Sequence, residues 1–124
     1  MIDFKNGAIY KLKKDTACKD KAVAALLIPG EQVLSSYTAV RDYVVFTDKR
    51  IISVNVQGLT GKKKDYTSLP YSKITAFSVE TAGVLDLDSE LELYFSGLGK
   101  VKFDFVGDSD IEAIGQHIAT FVLR

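Results

Sequence analysis

Lys62-Lys63-Lys64 is the most basic run in the chain, and Arg41, Lys49 and Arg50 are further cations that a fold could bring to the same rim. Clustered ammonium and guanidinium groups hold phosphate or an anionic surface, at about 1 kcal/mol per basic residue near a charged bilayer. Lysines on a solvated edge strand also serve a plainer purpose, blocking unwanted strand pairing. The acidic counterpart is the stripe Asp86, Asp88, Glu90 and Glu92. Oxygen-rich carboxylate groups can hold Ca²⁺, but this spacing lacks the glycine of an EF-hand loop. Alternate residues along a strand also lie too far apart to converge on one ion, so no metal site is expected. The stripe reads as a solvated face, or as an intersubunit acidic face. Like charges in a row need cations nearby, from lysines of a neighbouring strand or of another subunit.

An enzyme needs a nucleophile with a base, paired acids or metal ligands. One Cys and one His leave few such sets. Gly58-Leu59-Thr60-Gly61-Lys62 lacks the spacing of a phosphate-cradling loop and the Ser/Thr that follows its lysine. No catalytic residue and no cofactor are expected. Cys18 lies on an expected helix with no His or second Cys near it in sequence, and reads as buried. His117 sits about 100° around its helix from Ile118, which places it at the surface or rim. Thr81, Gly83, Arg41 and Asp42 fall in turns, where they serve turn chemistry or subunit contact.

The elements that must position these groups follow from composition and periodicity. The 124 residues are 47% hydrophobic and 26% charged, which suits one globular domain with a real core and excludes general disorder. The formal net charge is zero, which argues against a globally basic nucleic-acid binder. Residues 1–64 carry twelve Lys/Arg and six Asp/Glu, a formal +6; residues 65–124 carry four and ten, a formal −6. Two readings fit: halves folded onto each other, or a positive face of one subunit meeting a negative face of the next. A lone cysteine favours a reducing compartment, residues 1–7 hold no apolar run fit for a signal peptide, and Ala22 to Pro29 is too short to span a bilayer. The expectation is a cytoplasmic protein.

Residues 1–14 mix Ile2, Phe4, Ile9, Tyr10 and Leu12 with four lysines, and read as a short helix, a strand or an arm. Thr16 resembles an N-cap for a helix through Ala22, Val23, Leu26 and Leu27, which Pro29-Gly30 ends. The period then changes to two. Strands are expected over 33–39, 43–46, 51–56, 63–69, 74–80, 88–95 and 101–105, with Asp48-Lys49 at a hairpin tip. Leu87, Leu91, Leu93 and Phe95 share one face of the sixth of these; Asp88, Glu90, Glu92 and Tyr94 share the other. Matching inward faces pairs Phe95 with Val101 and Leu93 with Phe103, and outward Tyr94 with Lys102 and Glu92 with Asp104. Ser109 with Glu112 forms a capping box, and Ile111, Ile114, Ile118 and Val122 then recur at helical spacing. The fold class is mainly β (α+β): a barrel or sandwich with a helix.

An ordered set of motifs goes further. Arg41-Asp42, Phe46-Thr47-Asp48-Lys49-Arg50-Ile51-Ile52, Gln57-Gly58-Leu59-Thr60-Gly61-Lys62-Lys63, Pro70-Tyr71-Ser72-Lys73-Ile74, Glu80-Thr81-Ala82-Gly83, Asp86-Leu87-Asp88 and Glu90-Leu91 resemble the bacterial pleckstrin-homology-like (PH-like) domain family. The resemblance covers roughly residues 30–124, leaving 1–29 as an N-terminal arm and short helix. It implies a PH-like partly open barrel of seven antiparallel strands in two orthogonal sheets, capped by the C-terminal helix. It also implies no catalysis and assembly into closed, ring-like homo-oligomers. The phosphoinositide pocket of eukaryotic relatives uses basic residues around the loop joining their first two strands. Here that connection, Val40-Arg41-Asp42, holds one basic residue, which argues against inositol-phosphate recognition. The expected function is a non-catalytic scaffold or protein-interaction module that partners itself. The alternative is a module that binds an anionic lipid or a peptide by its basic rim or a free strand edge.

Overall fold

A computed structural model describes residues 1–15 and 21–124. Thr16 as a helix cap and Cys18 as a buried thiol lie outside the described residues. The elements are β1 (Ala8–Asp15), α1 (Lys21–Leu26), β2 (Val33–Thr38), β3 (Tyr43–Thr47), β4 (Arg50–Gln57), β5 (Lys63–Pro70), a 3₁₀ turn (Tyr71–Lys73), β6 (Ile74–Glu80), β7 (Ser89–Phe95), β8 (Gly99–Phe105) and α2 (Ile111–Val122). The strands form one sheet in the order β5-β4-β3-β2-β1-β8-β7-β6. Every pairing is antiparallel except β1 with β8.

The seven expected strands are all present as β2 to β8, and β1 makes an eighth. It lies between β2 and β8 and joins the two meanders into a partly open barrel. The resemblance over 30–124 left this strand out for a physical reason. Ile9 and Leu12 are both buried although they lie three positions apart, an odd spacing that a regular strand would put on opposite faces. A register irregularity between them puts Lys11 at φ 60°, so the period of two breaks inside the strand.

The core fills the barrel. Leu91, Leu93 and Phe95 of β7 and Val101, Phe103 and Phe105 of β8 face inward beside Phe46, Leu12 and Leu69. Ile111, Ile114 and Ile118 of α2 close one end. Strands β3 and β4 are buried on both faces. Their continuous apolar runs require cover on each side, and α1 supplies it through Val23, packed on Val45, Ile52 and Val54.

Two sequence expectations need correction. The β7–β8 register is shifted: Leu93 pairs with Val101 and Glu92 with Lys102, not with Phe103 and Asp104. Phe95 pairs with Gly99, which shortens the connection to Ser96, Gly97 and Leu98. The observed register sets Glu92 against a cation and moves the opposed carboxylates to Glu90 and Asp104. The helix cap is also displaced by one residue. The Asp110 side chain accepts from Ala113 N at 3.0 Å, while Ser109 contributes its carbonyl to Ile111 N. Glu112 therefore sits one position too early for a capping box.

Candidate functional site

The candidate cations do not form one cluster. Lys49 and Arg50 lie at the β3–β4 hairpin, and Lys62, Lys63 and Lys64 at the far end of β4, where Gln57 pairs with Lys63. Seven steps of strand separate Arg50 from Gln57, about 23 Å. Lys49 is exposed. Each nitrogen of the Arg50 guanidinium donates inside the chain. Nε donates to Glu31 Oε2 and Nη2 to Glu31 Oε1, both at 3.0 Å; Nη1 reaches Ser68 Oγ at 2.9 Å and Nη2 the Leu26 carbonyl at 2.7 Å. Glu31 is buried and also accepts from Thr47 Oγ1 at 2.6 Å and Ile28 N at 3.1 Å. Burial alone pushes its carboxyl up, but the hydrogen bonds from Arg50, Thr47 and Ile28 outweigh that and hold it below its ordinary value. This clamp ties the segment after α1 to the β3–β4 hairpin. Sequence reasoning missed Glu31 because nothing local marks an acid that pairs nineteen residues away.

At the other end of β4 the remaining cations do gather. The Asp42 carboxylate accepts from Val56 N at 2.9 Å and Asn55 Nδ2 at 3.3 Å, and Arg41 Nη2 donates to the Gly58 carbonyl. These bonds tie the β2–β3 connection to the β4–β5 loop. Lys64 lies over the Tyr43 ring at 5.9 Å. Lys62 and Lys63 are exposed and pair with no carboxylate among the described residues. Val40 and Leu59, on these two loops, are 98% and 107% exposed.

The acidic stripe meets cations of its own chain. Asp88 pairs with Lys11, Glu90 with Lys102 at 3.4 Å, and Glu92 with Lys100 at 3.5 Å. The hydrogen bond to Asp88 raises the Lys11 ammonium above its ordinary value, and the charge of Glu90 does the same for Lys102. Asp104 sits opposite Glu90 and accepts from Lys11 N at 3.2 Å; burial, above all, raises it. Asp86 lies apart, in the β6–β7 connection, where its carboxylate accepts from Asp88 N at 3.1 Å. That connection carries three large apolar residues: Val84, Leu85 and Leu87, at 93%, 99% and 61% exposure. Leu87, expected on one face with Leu91, Leu93 and Phe95, instead precedes β7 and stands in solvent, because the strand begins only at Ser89.

His117 is half-buried against Phe46, Tyr71 and Phe121. The Tyr71 hydroxyl donates to the Thr47 carbonyl at 2.7 Å, so His117 Nε2, 2.9 Å away, is the donor of that second contact. Burial lowers the imidazole below its ordinary value. The unfolded chain therefore takes up the proton first as pH falls. Stability is full above the unfolded value near 6.5 and is lost as pH drops through the folded value. Urea midpoints measured from pH 8 to 5 should fall in this window for the native chain. His117→Gln should flatten that fall; an unchanged slope counts against the assignment.

A family model described as "Bacterial PH domain" matches residues 3–122. The match takes in β1. The uncharacterized protein YjqA of Bacillus subtilis (strain 168) is 47% identical over 106 residues, 84% of this chain and 85% of its own length. The uncharacterized protein YozO of the same organism is 32% identical over 106 residues, 86% of this chain and 90% of its own. The solved structure of a DUF1696 family protein with a pleckstrin-homology domain from Shewanella loihica PV-4 is 36% identical and superposes with a TM-score of 0.80, covering 91% of this chain and 98% of that one. None of these descriptions indicates an enzymatic family. Among the described residues no helix is long and apolar enough to cross a membrane.

Proposed function

This chain belongs to the bacterial PH domain family, and from that premise we propose a non-catalytic scaffold that assembles head to tail into a closed, ring-like homo-oligomer. The observation that carries the reading is the β6–β7 connection, where Val84, Leu85 and Leu87 stand in solvent within four residues. A cluster of large apolar side chains on a surface marks a contact site. It continues directly from β6, a free edge whose interior residues Thr75, Ala76, Phe77, Ser78 and Val79 include no lysine or proline to block pairing. The opposite edge, β5, carries Lys63 and Lys64 at one end and Pro70 at the other. Unlike edges suit a heterologous contact, which closes into a ring when the rotation between copies allows. Intrachain lysines already balance Asp88, Glu90 and Glu92, so apolar burial and strand pairing, not that stripe, drive assembly. The lone cysteine suits a reducing compartment, and we place the assembly in the cytoplasm.

Light scattering after size exclusion tests this. The native chain should elute as a multiple of 13.6 kDa, and the Val84→Asp/Leu85→Asp variant as 13.6 kDa with its circular dichroism unchanged. A native chain at 13.6 kDa across micromolar concentrations overturns the proposal. A variant that keeps the native mass removes the connection from the interface.

A further inference from the structure

We propose that the cleft between the first turns of α2 and the β1–β2 pair binds a free α-amino acid whose side chain is apolar and no bulkier than a phenyl ring. Its residues are not those of the β6–β7 connection, and the proposal stands without self-assembly.

Two adjoining hollows make up the cleft. The outer one, about 430 Å³, is lined by Lys13 and Lys14 from β1 and by Asp108 and Asp110 from the β8–α2 connection. The inner one, about 170 Å³, is lined mainly by Leu34, Tyr37, Phe46, Ile114 and His117. Lys14, Tyr37 and Ala113 border both, so the two are continuous. The fold builds this shape. Val106 N donates to the Leu12 carbonyl at 3.0 Å, which brings the β8–α2 connection alongside β1. Lys14 pairs with Tyr37 across β1 and β2, so cation and phenol share one rim. Asp110 caps α2 through Ala113 N at 3.0 Å, which fixes its carboxylate at the helix start.

The inner chamber offers packing without charge. An apolar cavity of about 150 Å³ holds benzene, so a phenyl ring or a branched alkyl group fits here. Phe46 and Tyr37 are buried, whereas Leu34 is 48% exposed at the same chamber. A ligand side chain seated there covers Leu34 and gains the free energy of apolar burial. His117 adds no charge at neutral pH, because burial holds its imidazole below its ordinary value. The outer hollow holds charges of both signs. Among the described residues Lys13, Lys14 and Asp108 make no ion pair, and Asp110 Oδ2 accepts no hydrogen bond. A phosphate or a carboxylate alone would satisfy the lysines and be repelled by the aspartates; a metal ion or an amine alone would meet the reverse. A dipolar head satisfies both with charge-assisted hydrogen bonds. The chamber opens directly off this hollow, so carboxylate and ammonium must lie within a bond or two of the apolar group. A free α-amino acid has that layout, whereas a peptide chain separates its two charges.

The test is equilibrium dialysis of the full chain against L-phenylalanine, phenylpropionate and phenethylamine, each alone. Phenylalanine should bind saturably, at one molecule per 13.6 kDa chain. Phenylpropionate lacks the ammonium and phenethylamine the carboxylate. Each should bind at least about tenfold more weakly, the ratio that one hydrogen bond to a charged group represents. L-Tryptophan, whose indole exceeds the chamber, should also bind more weakly. Lys13→Ala/Lys14→Ala should weaken phenylalanine and phenylpropionate but not phenethylamine; Asp108→Asn should weaken phenylalanine and phenethylamine but not phenylpropionate. Ala113→Leu, at an exposed helix position on the rim of both hollows, should abolish uptake. Melting curves of these variants without ligand should match the native curve, since all four positions are exposed. Three results overturn the proposal: no saturable uptake of phenylalanine at millimolar concentration, equal uptake of all three compounds, which would show an apolar hole without a headgroup site, or uptake that Ala113→Leu leaves intact. A monomer that takes up phenylalanine upholds this site and overturns assembly; a discrete oligomer that takes up none does the reverse.

Discussion

Arg50→Met is expected to cost about 3–5 kcal/mol of stability and to lower the thermal midpoint by roughly 10–20 °C. The substitution removes the guanidinium but leaves the Glu31 carboxylate buried, with only Thr47 Oγ1 and Ile28 N to satisfy it. An uncompensated buried charge is among the most costly single changes in a fold. Glu31→Leu/Arg50→Met should recover much of the loss, because no charge is then stranded, and the departure from additivity measures the pair. Lys49→Ala, one residue away and exposed, should change little. The sign with pH is fixed by Glu31. Its folded value lies below the ordinary one, so its contribution is present above about pH 4.3 and is lost as pH falls through the folded value. The gap between native and Arg50→Met should therefore narrow in acid. A variant as stable as the native chain at pH 7 would show that the clamp is dispensable.

Gly99→Ala should be the second large effect, about 3 kcal/mol from a clash and a strained backbone together. A Cβ at Gly99 would lie 2.1 Å from the Phe4 carbonyl oxygen, and Gly99 has a φ of 129°, where an L side chain is strained. The Phe4 carbonyl accepts from Lys100 N at 2.7 Å, and the Gly7 carbonyl from Lys102 N at 3.0 Å. These bonds lay the N-terminal segment along β8 and bring Ile2 into the core. Alanine at 99 must push Phe4 away and loosen that attachment. Hydrogen exchange should show faster exchange at Lys100 and Lys102 while the β3–β4 amides stay protected. Unchanged protection at both would mean that the N-terminal segment is not held there.

Much of this architecture is legible in the sequence where one face is buried and one is wet. The alternation Leu91, Glu92, Leu93, Tyr94, Phe95 names its own inward residues, and the isoleucines of α2 do the same at helical spacing. Register is less legible, because the period of two admits a slip of two residues without moving any side chain to the other face. The choice between Leu93–Val101 and Leu93–Phe103 rests on how tightly Gly97 turns the chain. The strand β1 was one of three readings, since the turn of the backbone at Lys11 hides its periodicity. The basic set was legible as chemistry but not as geometry: its members lie at opposite ends of β4, and Arg50 is a buried-acid partner, not a free cation. Of the acidic stripe, Asp88, Glu90 and Glu92 lie beside Lys11, Lys102 and Lys100, while Asp86 lies apart in the β6–β7 connection.

The central claim is self-assembly through unlike surfaces of one chain. Native mass spectrometry of the full chain tests it most directly, because it counts subunits. The account predicts one discrete species of three or more 13.6 kDa subunits. A monomer, a two-fold dimer or an open-ended ladder of masses would contradict it.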